Sequence, residues 1–211
     1  MARVQVLIEV GILLGSFIFG ILFYYFISPT SKEEKKEQID QVSSHLINFV
    51  IFVWAGKVIY HFKLFTQDPF AVLAYPSSAE AFYIAIVLFS GTIVYQIFRG
   101  KITLDSFLTV FTPVVIASSF VYEFIQMQFF QKNALLDLGL LIILILGYIL
   151  LEKTVRNQLI LIFSWATGLL IISFIAPFVM VFQFLVSPTL MITIMILSSV
   201  IFVFDQRRKD I

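Results

Sequence analysis

Five ionisable side chains lie inside or at the edge of long apolar stretches: Glu9, Lys57, His61, Glu80 and Glu123. A charge at membrane depth costs about 2.5–3.5 kcal/mol on insertion scales, so such residues need a partner or a function. Carboxylates close to a lysine and a histidine could line a polar cavity, form an ion pair or relay protons. Which of these they do depends on the elements that carry them.

The composition indicates that lipid is the solvent for most of this chain. Of the 211 residues, 60% are hydrophobic and 13% are charged, whereas a soluble domain has about 25% charged residues. The net charge of +1 argues against a nucleic-acid partner, because such proteins carry a basic patch or stripe. The chain has no cysteine, which excludes disulfides, thiolate metal sites and a cysteine nucleophile.

The apolar segments predict an all-α, polytopic transmembrane bundle with seven spans that forms one integral membrane domain over residues 1–211. Each segment approaches the roughly 20 residues that cross a ~30 Å hydrocarbon core. We break the long C-terminal run at Ser187-Pro188 and treat Pro177 as a kink inside the sixth helix. Without that break there are six spans. The segments are 4–27, 44–64, 79–98, 103–126, 134–151, 158–184 and 188–204.

Lysine and arginine residues orient the predicted bundle. With seven spans, ten of them lie on one side, three on the other, and Lys57 lies within a span. Since positive residues accumulate on the cytoplasmic side, this places the N-terminus outside and the C-terminus in the cytoplasm. The charged segment 31–41 is then a solvated cytoplasmic loop or helix extension, or a docking site for a cytoplasmic partner.

With this orientation, Glu9, Lys57, Glu80 and Glu123 all fall in the outer half of the bilayer. Glu123 lies within a turn of the outer end of the fourth span, and Lys57 about two turns below the outer end of the second. These depths predict a polar, water-accessible cavity with His61 and several aromatic residues at its edge. The alternative is that Glu9 and Glu80 reach the interface while Lys57 and Glu123 form one structural ion pair.

Standard catalytic and metal-binding motifs are absent from the sequence. There is no HExxH, GxSxG, Walker loop or cysteine/histidine cluster, so we assign no catalytic residue, metal or cofactor. This argues against a standard enzyme.

The order of features through the first four spans carries a resemblance. It consists of a glycine-bearing first helix, a charged loop, an aromatic-flanked basic residue in the second span, and a basic loop leading into a fourth span. The residues are Gly11 to Phe26, Trp54 to Tyr60, Asp68-Pro69, Phe98 to Ile102, Leu104-Asp105 and Thr112-Pro113. Over residues 8–126 the chain resembles the prolipoprotein diacylglyceryl transferase family. The resemblance implies seven spans, an outside N-terminus, a bacterial plasma membrane and a membrane phospholipid as ligand.

The departures from the family's pattern imply that transferase activity is lost. Lys57 stands where the family has an arginine, and a lysine lacks the bidentate fork that grips phosphate. Residues 75–80 replace the family's His-Gly-Gly loop, so its catalytic histidine has no counterpart. Residues 119–125 replace its Gly-Arg-x-Gly-Asn-Phe signature without the arginine or the glycines.

Three functions follow in order of preference. The first is a lipid-binding membrane protein with an outer-leaflet cavity around Lys57 and Glu123. The second is an accessory or structural subunit whose intramembrane charges pair with a membrane protein partner. The third is a small-solute transporter, in which Pro113 and Pro177 would break helices near the site.

Overall fold

The computed structural model describes residues 2–69, 72 and 78–209, with the side chains of residues 8–69, 72 and 78–207. Six of its helices are long and apolar enough to cross a membrane. A further apolar helix, Leu135–Leu150, has only 16 residues. The chain is therefore an all-helical, multi-pass membrane protein. The elements are α1 (Ala2–Ile27), α2 (Lys32–Tyr60), α3 (Phe62–Phe65), α4 (Ala79–Phe98), α5 (Leu104–Phe130), α6 (Leu135–Leu150), α7 (Val155–Ile175), β1 (Val179–Val181), β2 (Phe184–Val186) and α8 (Pro188–Lys209).

Five helices begin at a serine or threonine that caps the first turn, and Ser187 before α8 is one of these residues. The side chains of Ser31, Ser78, Thr103 and Thr154 each accept a hydrogen bond from the backbone N–H three residues later. Such caps satisfy one of the free amide groups at a helix start. Ser31 begins α2 ahead of the charged segment, which makes residues 32–41 a helical extension of the second apolar segment.

Helix α5 is the centre of the bundle and packs against α1, α2, α6 and α7. Gly20 allows α1 to approach α5 closely, because a side chain there would collide with the carbonyl of Val114 and the hydroxyl of Ser118. Gly56 plays the same part between α2 and α4, where it lies against the backbone of Ala81.

Two apolar clusters define the ends of the bundle. Leu108, Val155 and Leu159 bring the starts of α5 and α7 together, with the last turns of α8 packed against them. We call this the inner end. Phe82 and Ile172 belong to a cluster at the opposite, outer end, which joins the start of α4, the end of α7, the start of α8 and the two strands.

The predicted sixth span is wrong beyond residue 175. Helix α7 ends at Ile175 and Ala176 is extended, because a residue before proline is disfavoured in the helical region. Pro177 therefore ends the helix instead of kinking it, and β1 and β2 form an antiparallel hairpin where a helix was expected. The predicted break at Ser187-Pro188 is confirmed, since Pro188 begins α8 and the Ser187 hydroxyl accepts from the Leu190 N–H at 3.3 Å.

Candidate functional site

Glu123 and Lys132 form an ion pair at the outer end of α5, in which Glu123 is buried and Lys132 is partly exposed. The helix closes at Gln131, whose φ of 55° is left-handed, and the Lys132 N–H then bonds back to the Gln126 carbonyl. This turn reverses the chain direction, so Lys132 lies beside the last turns of α5. The ammonium of Lys132 reaches Oε2 of Glu123 at 2.7 Å, and Glu123 is only 3% exposed.

Asp137 adds a second carboxylate to this pair. It lies in the first turn of α6 and interacts electrostatically with both Lys132 and Glu123. Acidic residues suit a helix start, where the helix dipole is positive. Two carboxylates therefore share one ammonium, and the group carries an excess negative charge when all three are ionised.

A small cavity lies beside the two carboxylates. Its volume of about 10 Å³ is space for about one water molecule. Oε1 of Glu123 and Oγ of Ser119 are both buried and have no hydrogen-bond partner among the described residues. Both residues line the cavity. Leaving such atoms unpaired costs about 1–3 kcal/mol each, so the cavity suits an occupant that bonds to oxygen. We call Ser119, Glu123, Lys132, Asp137 and this cavity the outer carboxylate site.

The hairpin between α7 and α8 covers the outer carboxylate site. Met180, Val181 and Phe182 line the cavity. The Phe182 ring inserts between two helices, with its centroid 5.0 Å from that of Phe17 and 5.6 Å from that of Tyr122.

The turn of this hairpin is strained. Phe182 and Gln183 have φ values of 49° and 72°, at the two positions where Asn-Gly is preferred. Left-handed backbone costs about 1–2 kcal/mol for an ordinary residue, so surrounding contacts must hold the turn. The Phe182 ring supplies some of these, and the Gln183 side chain interacts with the Tyr122 hydroxyl.

Glu9 lies near the same site. It is half-buried on α1 and within electrostatic range of Tyr122. The Tyr122 hydroxyl also accepts from Gln126 Nε2 at 2.9 Å. Glu9 and Glu123, which the sequence placed at similar depth, therefore both lie close to Tyr122.

Lys57, His61 and Glu80 lie at the junction of α2 and α4. Lys57 is buried on α2, and Glu80 is exposed in the first turn of α4. His61 caps α2 and interacts electrostatically with Glu80. The five predicted site residues thus fall into two groups, and only Glu123 lines the cavity described above.

The observed helix ends change two predicted depths. Helix α5 continues to Phe130, so Glu123 lies about two turns from its outer end instead of one. Helix α2 ends at Tyr60, which puts Lys57 within its last turn. The predicted alternative of a Lys57–Glu123 ion pair is wrong, because Glu123 pairs with Lys132.

Sequence reasoning missed Lys132 and Asp137 as site residues. The predicted segments leave Lys132 in the loop before the fifth span and Asp137 inside that span, and they give neither residue a role in the site. Lys132 is nine residues after Glu123 and meets it only because the chain reverses at Gln131. The one available signal was a basic residue in a short loop, close in sequence to an intramembrane acid.

Comparisons with protein-family models, curated proteins and solved structures found no match. The resemblance to the diacylglyceryl transferase family therefore stays a prediction.

Proposed function

We propose that the chain crosses the plasma membrane of a bacterium seven times, with its N-terminus outside. The inner-end cluster joins the starts of α5 and α7, so α6 must run from the outer end of α5 back to the start of α7. Its 16 residues span about 24 Å, and local bilayer thinning accommodates a short span. The ten-to-three distribution of Lys and Arg supports the orientation.

We propose that the outer carboxylate site binds a proton or a small monovalent cation, as the ion site of a small-solute transporter. The observation that carries this is the Oε1 atom of Glu123, which is buried beside a water-sized cavity without a hydrogen-bond partner in the described part of the chain. A bound proton or cation offsets the excess negative charge of Glu123 and Asp137 over Lys132. Intramembrane carboxylates of this kind are typical of ion and proton pathways.

The size of the cavity favours an ion over a larger ligand at this site. A volume of about 10 Å³ admits a water molecule or a bare ion but no lipid headgroup. Glu9 and the half-buried Asp137 add negative charge around it, which disfavours a phosphate. The outer carboxylate site thus fits the transporter hypothesis better than the lipid hypothesis.

Lipid binding is the second candidate, and we place it at the junction of α2 and α4. The buried ammonium of Lys57 is the observation that favours it, because a lysine can serve phosphate as a point charge. Native mass spectrometry from mild detergent tests this candidate. A phospholipid retained by the wild type and lost in Lys57→Ala supports it, and a stoichiometric protein partner would favour an accessory subunit instead.

Carbodiimide labelling tests the ion site. N,N′-dicyclohexylcarbodiimide enters membranes and modifies carboxyl groups that carry a proton. In proteoliposomes at neutral pH we expect modification of Glu123, mapped by peptide mass spectrometry, and slower modification as sodium replaces choline at constant ionic strength or as the pH rises.

Two variants control this experiment. Glu123→Gln removes the modified peptide, whereas Asp105→Asn leaves it unchanged because Asp105 is exposed in the first turn of α5. Absence of labelling at Glu123 in both the wild type and Phe182→Asn, which removes the hairpin ring that covers the cavity, would refute the proposal. Labelling that responds to neither sodium nor pH would also refute it.

A further inference from the structure

A second polar cavity opens at the inner end, between α2 and α4. Its volume is about 370 Å³, within the range of small-molecule sites. On α2, Glu37, Gln41, Ser44 and Asn48 follow one another at helical spacing and form one wall. Asp40 lies beside them, and Gln96 and Lys101 form the facing wall. We call this cavity the inner cleft.

His45 lines the inner cleft and is the most buried of its polar residues. It is only 5% exposed, and its Nδ1 has no hydrogen-bond partner within the described ranges. The ring is held edge-on by Phe107 and Phe89, with centroids at 5.6 and 6.4 Å. A buried nitrogen without a partner costs about 1–3 kcal/mol, so a ligand that hydrogen-bonds to His45 removes that cost.

Charges of opposite sign face each other across the inner cleft without touching. Glu37 and Asp40 are exposed on the α2 wall and Lys101 is exposed on the other. No ion pair joins Lys101 to either carboxylate in the part of the chain that the structure describes. The charges are therefore available to a ligand with both signs.

The position of Lys101 is set by the end of α4. Gly100 has a φ of +66°, the left-handed conformation that favours glycine at a helix end. The Lys101 N–H then bonds to the Gln96 carbonyl at 3.0 Å. Lys101 and Gln96 are thus fixed on one wall of the cleft.

We infer that the inner cleft binds a small molecule that carries two ammonium groups and one carboxylate, and therefore a net positive charge, of the size of a basic amino acid. Its ammonium groups meet Glu37 and Asp40, its carboxylate meets Lys101, and its polar atoms bond to His45. Two acids against one lysine favour the net positive charge. This inference does not depend on the outer carboxylate site, which lies among other helices at the opposite end.

Equilibrium binding of two radiolabelled probes, L-lysine and putrescine, to the full chain in detergent tests the inference. Both probes carry ammonium groups and only L-lysine carries a carboxylate. We expect saturable binding of L-lysine, at least tenfold weaker in Asp40→Asn and in Lys101→Met. For putrescine we expect weaker binding in Asp40→Asn alone.

Glu33→Gln serves as the matched control, because Glu33 is exposed on α2 and does not line the cleft. Since Asp40 and Lys101 are exposed, their variants should fold, and an unchanged melting temperature verifies this. No saturable L-lysine binding by the wild type would overturn the inference, as would equal effects of Glu33→Gln and Asp40→Asn. Either failure leaves carbodiimide labelling at Glu123 unaffected and so does not bear on the ion site.

Discussion

The outer carboxylate site and the inner cleft contain the same charged groups in opposite arrangements. Each brings two carboxylates near one lysine. At the outer site the lysine is bonded to a carboxylate under a hairpin, and a cavity of about 10 Å³ remains. In the inner cleft the lysine stays apart and the cavity is about 370 Å³. The first arrangement leaves space for an ion, and the second leaves space for a molecule with its own charges.

The two lysines are presented by similar backbone turns. Lys132 follows left-handed Gln131 and bonds back to Gln126, and Lys101 follows left-handed Gly100 and bonds back to Gln96. The difference lies in the helix that each turn closes. Helix α5 carries Glu123 within reach of its lysine, whereas α4 has no acidic residue after its first turn. The difference between Lys132, which is paired, and Lys101 is therefore one carboxylate, Glu123, in the helix before the turn.

The largest predicted loss of stability comes from Lys132→Met, and Lys101→Met is its comparison. Lys132→Met leaves the buried Glu123 carboxylate without its partner, and this costs about 3 kcal/mol, the lower end for a buried pair, because Lys132 is itself 28% exposed. Lys101→Met should change the free energy of unfolding by no more than about 0.5 kcal/mol, as for an exposed residue without a partner. Thermal unfolding of both variants in the same detergent measures the difference.

The double variant Glu123→Gln with Lys132→Met should recover most of the stability lost in Lys132→Met, because no buried charge is then left unpaired. Equal melting temperatures for Lys132→Met and Lys101→Met would show that the outer pair is hydrated and that the contrast between the two sites is wrong.

The sequence predicted the bundle well because its signals are local. Apolar length, charge clusters and Ser187-Pro188 mark the helices without knowledge of the packing. The hairpin was missed for a physical reason. Residues 178–186 are apolar except for Gln183, and the turn lacks the glycine or asparagine that its backbone favours. The contacts of Phe182 and Gln183 with neighbouring helices explain that turn, and these contacts are tertiary.

The candidate sites were less predictable than the fold. Depth along the spans identified Glu123 as an intramembrane acid, but its partner depends on a left-handed turn at Gln131 that the residue type does not indicate. His45 is not among the predicted site residues, because its burial depends on Phe89 and Phe107 from two other helices. Spacing along a chain does not report such contacts.

The second prediction concerns Gly56, at the close contact between α2 and α4, the two helices that form the inner cleft at their opposite ends. In Gly56→Ala the new methyl group meets the backbone of Ala81, which forces α2 away from α4 at a cost of about 1–3 kcal/mol. We expect weaker L-lysine binding and unchanged carbodiimide labelling at Glu123. Gly91→Ala is the control, since nothing lies within 4 Å of a side chain there, and alanine should stabilise α4 by up to about 1 kcal/mol. Loss of labelling in Gly56→Ala would show that the two sites are coupled.

The last prediction concerns Phe182→Asn, which removes a ring that covers the outer carboxylate site and leaves the charged residues of that site unchanged. Asparagine tolerates the left-handed backbone and relieves about 1–2 kcal/mol of strain. The lost ring contacts with Phe17 and Tyr122 are worth about 0.5–1.5 kcal/mol each. Relief of this strain offsets only part of the lost ring contacts and of the apolar area that the ring buries, so the melting temperature should fall by less than in Lys132→Met.

Access to the outer site should nevertheless change in Phe182→Asn. Without the ring between α1 and α5, carbodiimide should modify Glu123 several times faster, while L-lysine binding at the inner cleft stays the same. Phe178→Asn is the matched control, because Phe178 is exposed and does not line the cavity. Equal labelling rates in the two variants would mean that the hairpin does not limit access to Glu123, and the outer site would then be as open as the inner one.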